Sequence, residues 1–202
     1  MKYPPPHHQD SNIDHMIEVI KAFPLATVIA VDNGAPLVTH MPLIYRESDG
    51  KLIGHIDIYN PQTPLMRNDN PLTIIFSGPD CYISPTVYTT TQLPTWNYIK
   101  VHLKGTVKAI ESKAALKDSL IKMTAFLEAP EHKYVLEPDN KRMEGALDYI
   151  KMFEITITDW EGKFKLSQDK RKPDRINAYE QLIALNQQSV RAFLDRIFNP
   201  ES

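Results

Sequence analysis

Histidines, one cysteine and a short basic run carry most of the reactive or ligating potential in this chain. The seven histidines are His7, His8, His15, His40, His55, His102 and His132, and none stands in an H-x-x-x-H or H-E-x-x-H arrangement. Such spacing puts two imidazoles on one helix face for a metal, so spacing supplies no metal site here. Each histidine reads as a surface residue or a hydrogen-bonded core residue. Cys81 is the sole cysteine, which excludes an intramolecular disulfide and a cysteine-based zinc site. Asp80 beside it works against a reactive thiolate. Ser84 has no G-x-S-x-G context, and no Ser-His-Asp or Cys-His pattern stands out.

Two local features suit ligand binding better than covalent catalysis. Between Lys163 and Arg175 lie six basic residues against Asp169 and Asp174, which is a solvated loop, a phosphate site or a nucleic-acid contact. Within it Lys165, Ser167 and Gln168 offer a cation, a hydroxyl and an amide, donor chemistry that suits one phosphate. Strand alternation predicts Lys165 and Ser167 on one face, with Leu166 turned inward and Lys170, Arg171 and Lys172 solvated. Trp96, Asn97 and Tyr98 stand together at the mouth of an alternating strand. They are core aromatics or a stacking platform for a planar heteroaromatic ring. His40 and His55 fall inside predicted strands, and His55 with Asp57 shares a face that lines a groove or meets solvent.

The elements that must position these residues follow from length and patterning. The 202 residues carry 23 basic and 25 acidic side chains, a net charge of -2, which argues against a general nucleic-acid binder. No signal-peptide pattern or membrane-length apolar run is read, so a cytoplasmic protein without a membrane partner is the expectation. Glycine is scarce at seven, and neither G-x-G-x-x-G nor a P-loop is present.

Twelve of the 16 prolines lie at or before Pro94, as expected for short strands joined by turns. Ser11 or Asn12 caps a helix that Pro24 stops. Strands are predicted at 25–31, 38–45, 52–59, 72–76, 82–88 and 98–110, with Pro42 requiring an edge or a bulge. Ser112 caps a helix to Leu127 with a stripe of Leu116, Leu120, Met123 and Leu127. A strand near 153–157, a turn at Trp160-Glu161-Gly162 and a strand at 164–167 come next. A helical pattern at 174–198 closes the chain. The sum is a mainly β, α+β protein: a β-barrel with helical additions. It divides into residues 1–173 and a C-terminal helical extension at 174–202.

Six blocks in order give the chain a resemblance. They are Tyr3-Pro4-Pro5-Pro6-His7, Thr39-His40-Met41-Pro42-Leu43 and Gly54-His55 with Asn60-Pro61-Gln62. Phe76-Ser77-Gly78-Pro79 follows, leading into Tyr82-Ile83-Ser84-Pro85, then Pro94-Thr95-Trp96-Asn97-Tyr98 and Gly162-Lys163-Phe164-Lys165-Leu166-Ser167-Gln168. Together they resemble the PaiB-like family of FMN-binding negative transcriptional regulators, from Tyr3 to about Arg175. The resemblance implies an FMN-binding split β-barrel that forms a homodimer, with the flavin in a groove between subunits. By that analogy Thr39, His40, Pro42 and Leu43 would run along the isoalloxazine edge. His55, Ile56, Asn60 and Gln62 would approach the ribityl phosphate. Trp96, Asn97, Tyr98, Lys165, Ser167 and Gln168 would close the site, with the partner subunit as one source.

The chain departs from the family pattern at several places. Asp57-Ile58-Tyr59 stands for a common Ala-Arg-Ala, which removes a charge-assisted contact of ~1.5–3 kcal/mol. Val87 stands where an aromatic is usual, His8 where phenylalanine is usual, and Asp169 where asparagine follows Ser-Gln. The resemblance implies a regulator, acting directly or through flavin redox state. The alternatives are a flavin-dependent oxidoreductase, such as a flavin reductase or pyridoxamine-phosphate-type oxidase, and a cofactor-free protein that regulates by contact. No helix-turn-helix is found, because the helix after Asn12 runs into a strand.

Overall fold

The computed structural model describes residues 3–186, 191 and 194–196. Strands β1 (Gln9–Asp10), β2 (Leu25–Asp32), β3 (Ala35–Arg46), β4 (Lys51–Asp57), β5 (Pro71–Ile83), β6 (Thr95–Ile110) and β7 (Ile150–Lys165) form one sheet. Helices α1 (Ile13–Ala22), α2 (Lys113–Leu127), α3 (Lys141–Ala146) and α4 (Lys172–Asn186) accompany it. The strands hydrogen-bond in the order β1-β7-β4-β3-β2-β5-β6, and β6 also pairs with β7. The pairs β1–β7, β2–β3, β3–β4 and β4–β7 are antiparallel. The expected mainly antiparallel sheet with helical additions is what the chain forms.

The fold has two compact units. One holds the chain up to Pro24, Ile75–Leu103 and the chain from Trp160 onward; the other holds Leu25–Ile74 and Lys104–Asp159. In the second unit β2 and β3 make a hairpin through Asn33 (φ 49°) and Gly34 (φ 83°). Two successive positive φ values match the right-handed twist of the strands, and Asn-Gly adopts them at low cost. Pro42 opposes Leu25 at the last β2 pair, and β4 takes over from Leu43. The residue that cannot donate to a ladder thus sits where β3 changes partners. Gly54 is required on β4, since a Cβ there would lie 2.5 Å from Leu43 Cδ2 and 2.7 Å from Phe153 Cζ.

Two helices cover this unit's β4 and β7. Leu116, Met143 and Leu147 bury against Ile53 and Met152, each such side chain contributing ~1.5–3 kcal/mol. Ser112 caps α2 by accepting from Ala115 N, as the sequence predicts. The predicted stripe holds at Leu116 but not at Leu127, which is 49% exposed. Helix α3, unpredicted, starts where Asn140 Oδ1 accepts from the N–H groups of Arg142 and Met143.

In the other unit Asn12 caps α1 through Asp14 N, and Met16, Val19 and Ile20 are buried. Two predicted strands, 72–76 and 82–88, are a single β5 followed by a 3-10 turn at Pro85–Val87. The predicted turn at Trp160-Glu161-Gly162 is continuous β7. Gly162 opposes Asp10 of β1, and the close backbone approach replaces turn formation as that glycine's reason. Helix α4 begins at Lys172 rather than Asp174. Asp174 is fully buried and accepts from Thr89 N (2.5 Å), Thr89 Oγ1 (2.8 Å) and Thr90 Oγ1 (2.9 Å). These bonds hold its pKa down and tie the first turn of α4 to the segment after β5. The rest of the predicted C-terminal helix, 187–190, 192–193 and 197–202, lies outside the described residues.

Candidate functional site

Strand β7 delivers its last residues by alternation, with Phe164 and Leu166 buried and Lys165 on the polar side. Lys165 Nζ donates to Thr95 Oγ1 at 2.6 Å. The predicted continuation to Ser167 fails, because Ser167 takes a left-handed φ of 62° and Lys170 N donates to its carbonyl at 3.0 Å. The chain therefore turns, and the Ser167 side chain goes inward instead of sharing the Lys165 face. Its Oγ lies 2.9 Å from the Tyr88 hydroxyl and accepts from Asn97 Nδ2 at 3.1 Å. Gln168 folds back on the same turn: its Nε2 donates to Phe164 O and its Oε1 accepts from Leu166 N at 2.8 Å.

A cavity of about 250 Å³ opens beside this turn, lined by Thr95, Lys165, Ser167, Lys170, His8 and Asp169, with Gln92, Leu93 and Pro94 completing the wall. Lys170, read from sequence as solvated, thus shares a cavity with Lys165. Its ammonium pairs with Asp169 at 2.7 Å. Two cations, two hydroxyls and one carboxylate make a polar cavity with an excess of donors.

Alternation also sorts the aromatic block at the start of β6. Asn97 is buried on the core face, whereas Trp96 is 50% exposed on the wet face. Trp96 Nε1 donates to Asp80 at 3.2 Å, and Tyr82 lies 6.3 Å away ring to ring. Tyr98 is half-buried on the same side. Cys81, between Asp80 and Tyr82, is buried; burial first, then Asp80, pushes its thiol up to about 11.

The second unit brings together part of the predicted set. Thr39 Oγ1 donates to Asn60 Oδ1 at 3.3 Å, and the same oxygen accepts from Gln62 N at 2.9 Å. Gln62 is 1% exposed, and its Nε2 donates to Val28 O (3.0 Å) and Leu37 O (2.9 Å). Flipping the amide would set an oxygen against two carbonyls, so the orientation is fixed. Its Oε1 is buried with no hydrogen-bond partner.

The remaining predicted residues scatter. His40 is exposed opposite Thr27, Leu43 and Ile56 are buried in the core, and Pro42 is half-buried. His55 Nε2 lies 2.9 Å from Ser119 Oγ on α2. Burial brings the His55 pKa down to about 4, so it is neutral at physiological pH.

Sequence reasoning missed a second cavity, about 380 Å³, between α2 and the sheet of this unit. Ile44, Ile53, Ile110, Met123 and Met152 line it, with Arg46 and Glu154 among its polar wall. Arg46 bonds Asp49 through two nitrogens (2.7 and 2.6 Å) and Glu154 at 2.8 Å. The guanidinium holds Asp49 down at about 2. Only the apolar register of α2 hinted at this pocket. Among the described residues no helix is long and apolar enough to cross a membrane.

Comparison with known proteins places this geometry. A family model described as "Putative FMN-binding domain" matches residues 2–159. The chain is 31% identical over 192 residues to the protease synthase and sporulation protein PAI 2 of Bacillus subtilis, covering 89% of this chain and 88% of that one. Among solved structures, an FAD and heme binding protein from Mycobacterium smegmatis superposes with a TM-score of 0.65 at 19% identity, over 85% of this chain and 80% of that one. The flavocytochrome Anf3 from Azotobacter vinelandii gives a TM-score of 0.61 at 18% identity, over 78% and 69%. At these identities the structures share the fold, while the matched family model and the Bacillus relative establish membership: the chain belongs to the PaiB-like family of FMN-binding domains.

Proposed function

We propose that this chain binds FMN as a split-barrel homodimer and serves as a negative regulator of transcription, directly or through the redox state of that flavin. The observation that carries the reading is the Thr39–Asn60–Gln62 cluster, whose buried Gln62 Oε1 lacks a donor. A buried acceptor left without a partner costs ~1–3 kcal/mol, and a ring N–H or a ribityl hydroxyl of FMN has the donor it needs. In the other unit, taken by itself, the cavity holding Lys165 and Lys170 suits a phosphate, which a lysine binds as a point charge. Each cluster by itself offers chemistry that fits one part of the group. Bound FMN supplies reversible electron transfer; the chain's own contribution is to hold the phosphate and the polar edges.

The β2–β3 hairpin supports the homodimer. Val31 and Val38 are 59% and 53% exposed there, and Leu25 is 60% exposed. An apolar hairpin of this kind is a candidate for association, and two-fold dimers are the commonest closed assembly. The regulator role follows the six sequence blocks that resemble the PaiB-like negative regulators. The absorbance spectrum of the purified protein tests the core of the reading. Oxidised-flavin bands at one FMN per chain are expected, and a protein that stays colourless after incubation with FMN would overturn it. Sedimentation separately tests the dimer, and bleaching of the bands by NAD(P)H turnover would move the assignment to an oxidoreductase.

A further inference from the structure

His7 and His8 are adjacent in the 3-10 turn Pro6–His8, with ring centroids 4.1 Å apart. Asp169 arrives beside them from the other end of the unit, on the turn that Ser167 and Lys170 close after β7. One ring nitrogen of each histidine and one carboxylate oxygen of Asp169 lie within 4.8 Å of one another. Two imidazoles and a carboxylate are the ligand set of three-residue sites that hold a borderline dication and keep further positions open.

A second observation points the same way. The Gln168 amide is oriented by two backbone bonds, Nε2 to Phe164 O and Oε1 from Leu166 N. Its Oε1 also lies 2.9 Å from His8 Nδ1. An amide oxygen can only accept, so Nδ1 carries the proton and donates, leaving the lone pair of Nε2 bare. Metal-binding imidazoles are held in this way, with the second nitrogen donating to a fixed oxygen that sets tautomer and ring orientation. His8 is 7% exposed, so its ring is held in place by the packing around it.

We propose that His7, His8 and Asp169 form a binding site for a divalent transition-metal ion of the Zn²⁺ type, with Gln168 as the residue that orients His8. His8 and Asp169 both line the 250 Å³ cavity, so an ion held by them borders a space that can hold water or an anionic oxygen. Lys165 and Lys170 line the same cavity. Their charge opposes a dication, and Lys170 competes for Asp169 directly through the 2.7 Å ion pair. The site is therefore exchangeable rather than a closed structural one. Binding of the ion needs no flavin, and the cavity it borders is the one that holds Lys165 and Lys170.

The test is titration of the untagged, flavin-free full chain with Zn²⁺ alone, and with Co²⁺ for its visible ligand-field bands. One Zn²⁺ per chain is expected. His7→Ala and Asp169→Asn, at exposed positions whose variants keep their far-ultraviolet dichroism, lose it. Gln168→Ala weakens it about 10–100-fold. Lys170→Ala tightens it by freeing the carboxylate. Absence of binding, or uptake unchanged in both His7→Ala and Asp169→Asn, overturns the proposal, the latter meaning adventitious capture by other histidines. Lys165→Ala separates the two readings, since it lowers FMN affinity and leaves the zinc stoichiometry at one.

Discussion

His55 Nε2 and Ser119 Oγ lie 2.9 Å apart, so the histidine in the middle of β4 is tied to α2. Burial holds this imidazole near 4 against an ordinary 6.5. Between those values the unfolded chain takes up a proton that the folded chain refuses. Stability from this group is complete above about 6.5 and falls as the pH drops toward 4. The loss is on the order of 3 kcal/mol. Urea midpoints from pH 7 to pH 4.5 should show it, and His55→Phe should flatten that dependence.

Gln62 should matter for both stability and ligand. Gln62→Leu leaves Val28 O and Leu37 O without the side-chain donor, at a cost of ~1–3 kcal/mol. Gln62→Glu sets an oxygen against the same carbonyls and should cost at least as much. FMN affinity, measured by flavin fluorescence quenching on whichever variant stays folded, should fall as well. Unaltered affinity would separate Gln62 from the cofactor.

Lys165→Ala should weaken FMN by ~1.5–3 kcal/mol, roughly 10–100-fold, the worth of a charge-assisted contact. Because Lys170 lines the same cavity, Lys170→Ala should also weaken FMN, by a smaller factor since Asp169 already pairs with it. Arg171→Ala should leave affinity unchanged. Equal losses in all three variants would mean that the segment acts as a diffuse charge.

Val38→Asp tests the hairpin as an interface. Val38 is 53% exposed on β3 opposite Ile29, so a charge there should leave the monomer fold intact. Sedimentation should then show a shift toward monomer at concentrations where the parent chain is a dimer. A parent that is monomeric at every concentration would remove the homodimer.

Local rules read well where one physical effect dominates. The buried face of β6 from Ile99 to Val107 follows strict alternation, and the caps at Asn12 and Ser112 form as their side chains dictate. Long-range effects were not legible. Gly162 carries a turn signature, yet its neighbour Asp10 lies far away in sequence and turns it into strand. Ser167 departs from alternation because Tyr88 and Asn97 draw it inward. The same distance problem hid the approach of Asp169 to His7 and His8, which no spacing rule can register. At the candidate flavin residues, Asn60 and Gln62 share one sequence block, whereas the bond from Thr39 to Asn60 and the tie of His55 to α2 join positions 21 and 64 apart.

The bare Cα of Gly162 has an effect on the amino-terminal arm. A Cβ there would meet Asp10 O at 2.5 Å, and β1 has only two residues with which to resist. Asp10 in turn accepts from Asn12 N (2.7 Å) and contacts His15 Nδ1 (2.8 Å), so the entry to α1 hangs on the same point. A single added methyl would push Asp10 away from β7 and break the two-residue pairing of β1, which leaves the segment from Tyr3 to Asn12 a better target for proteolysis.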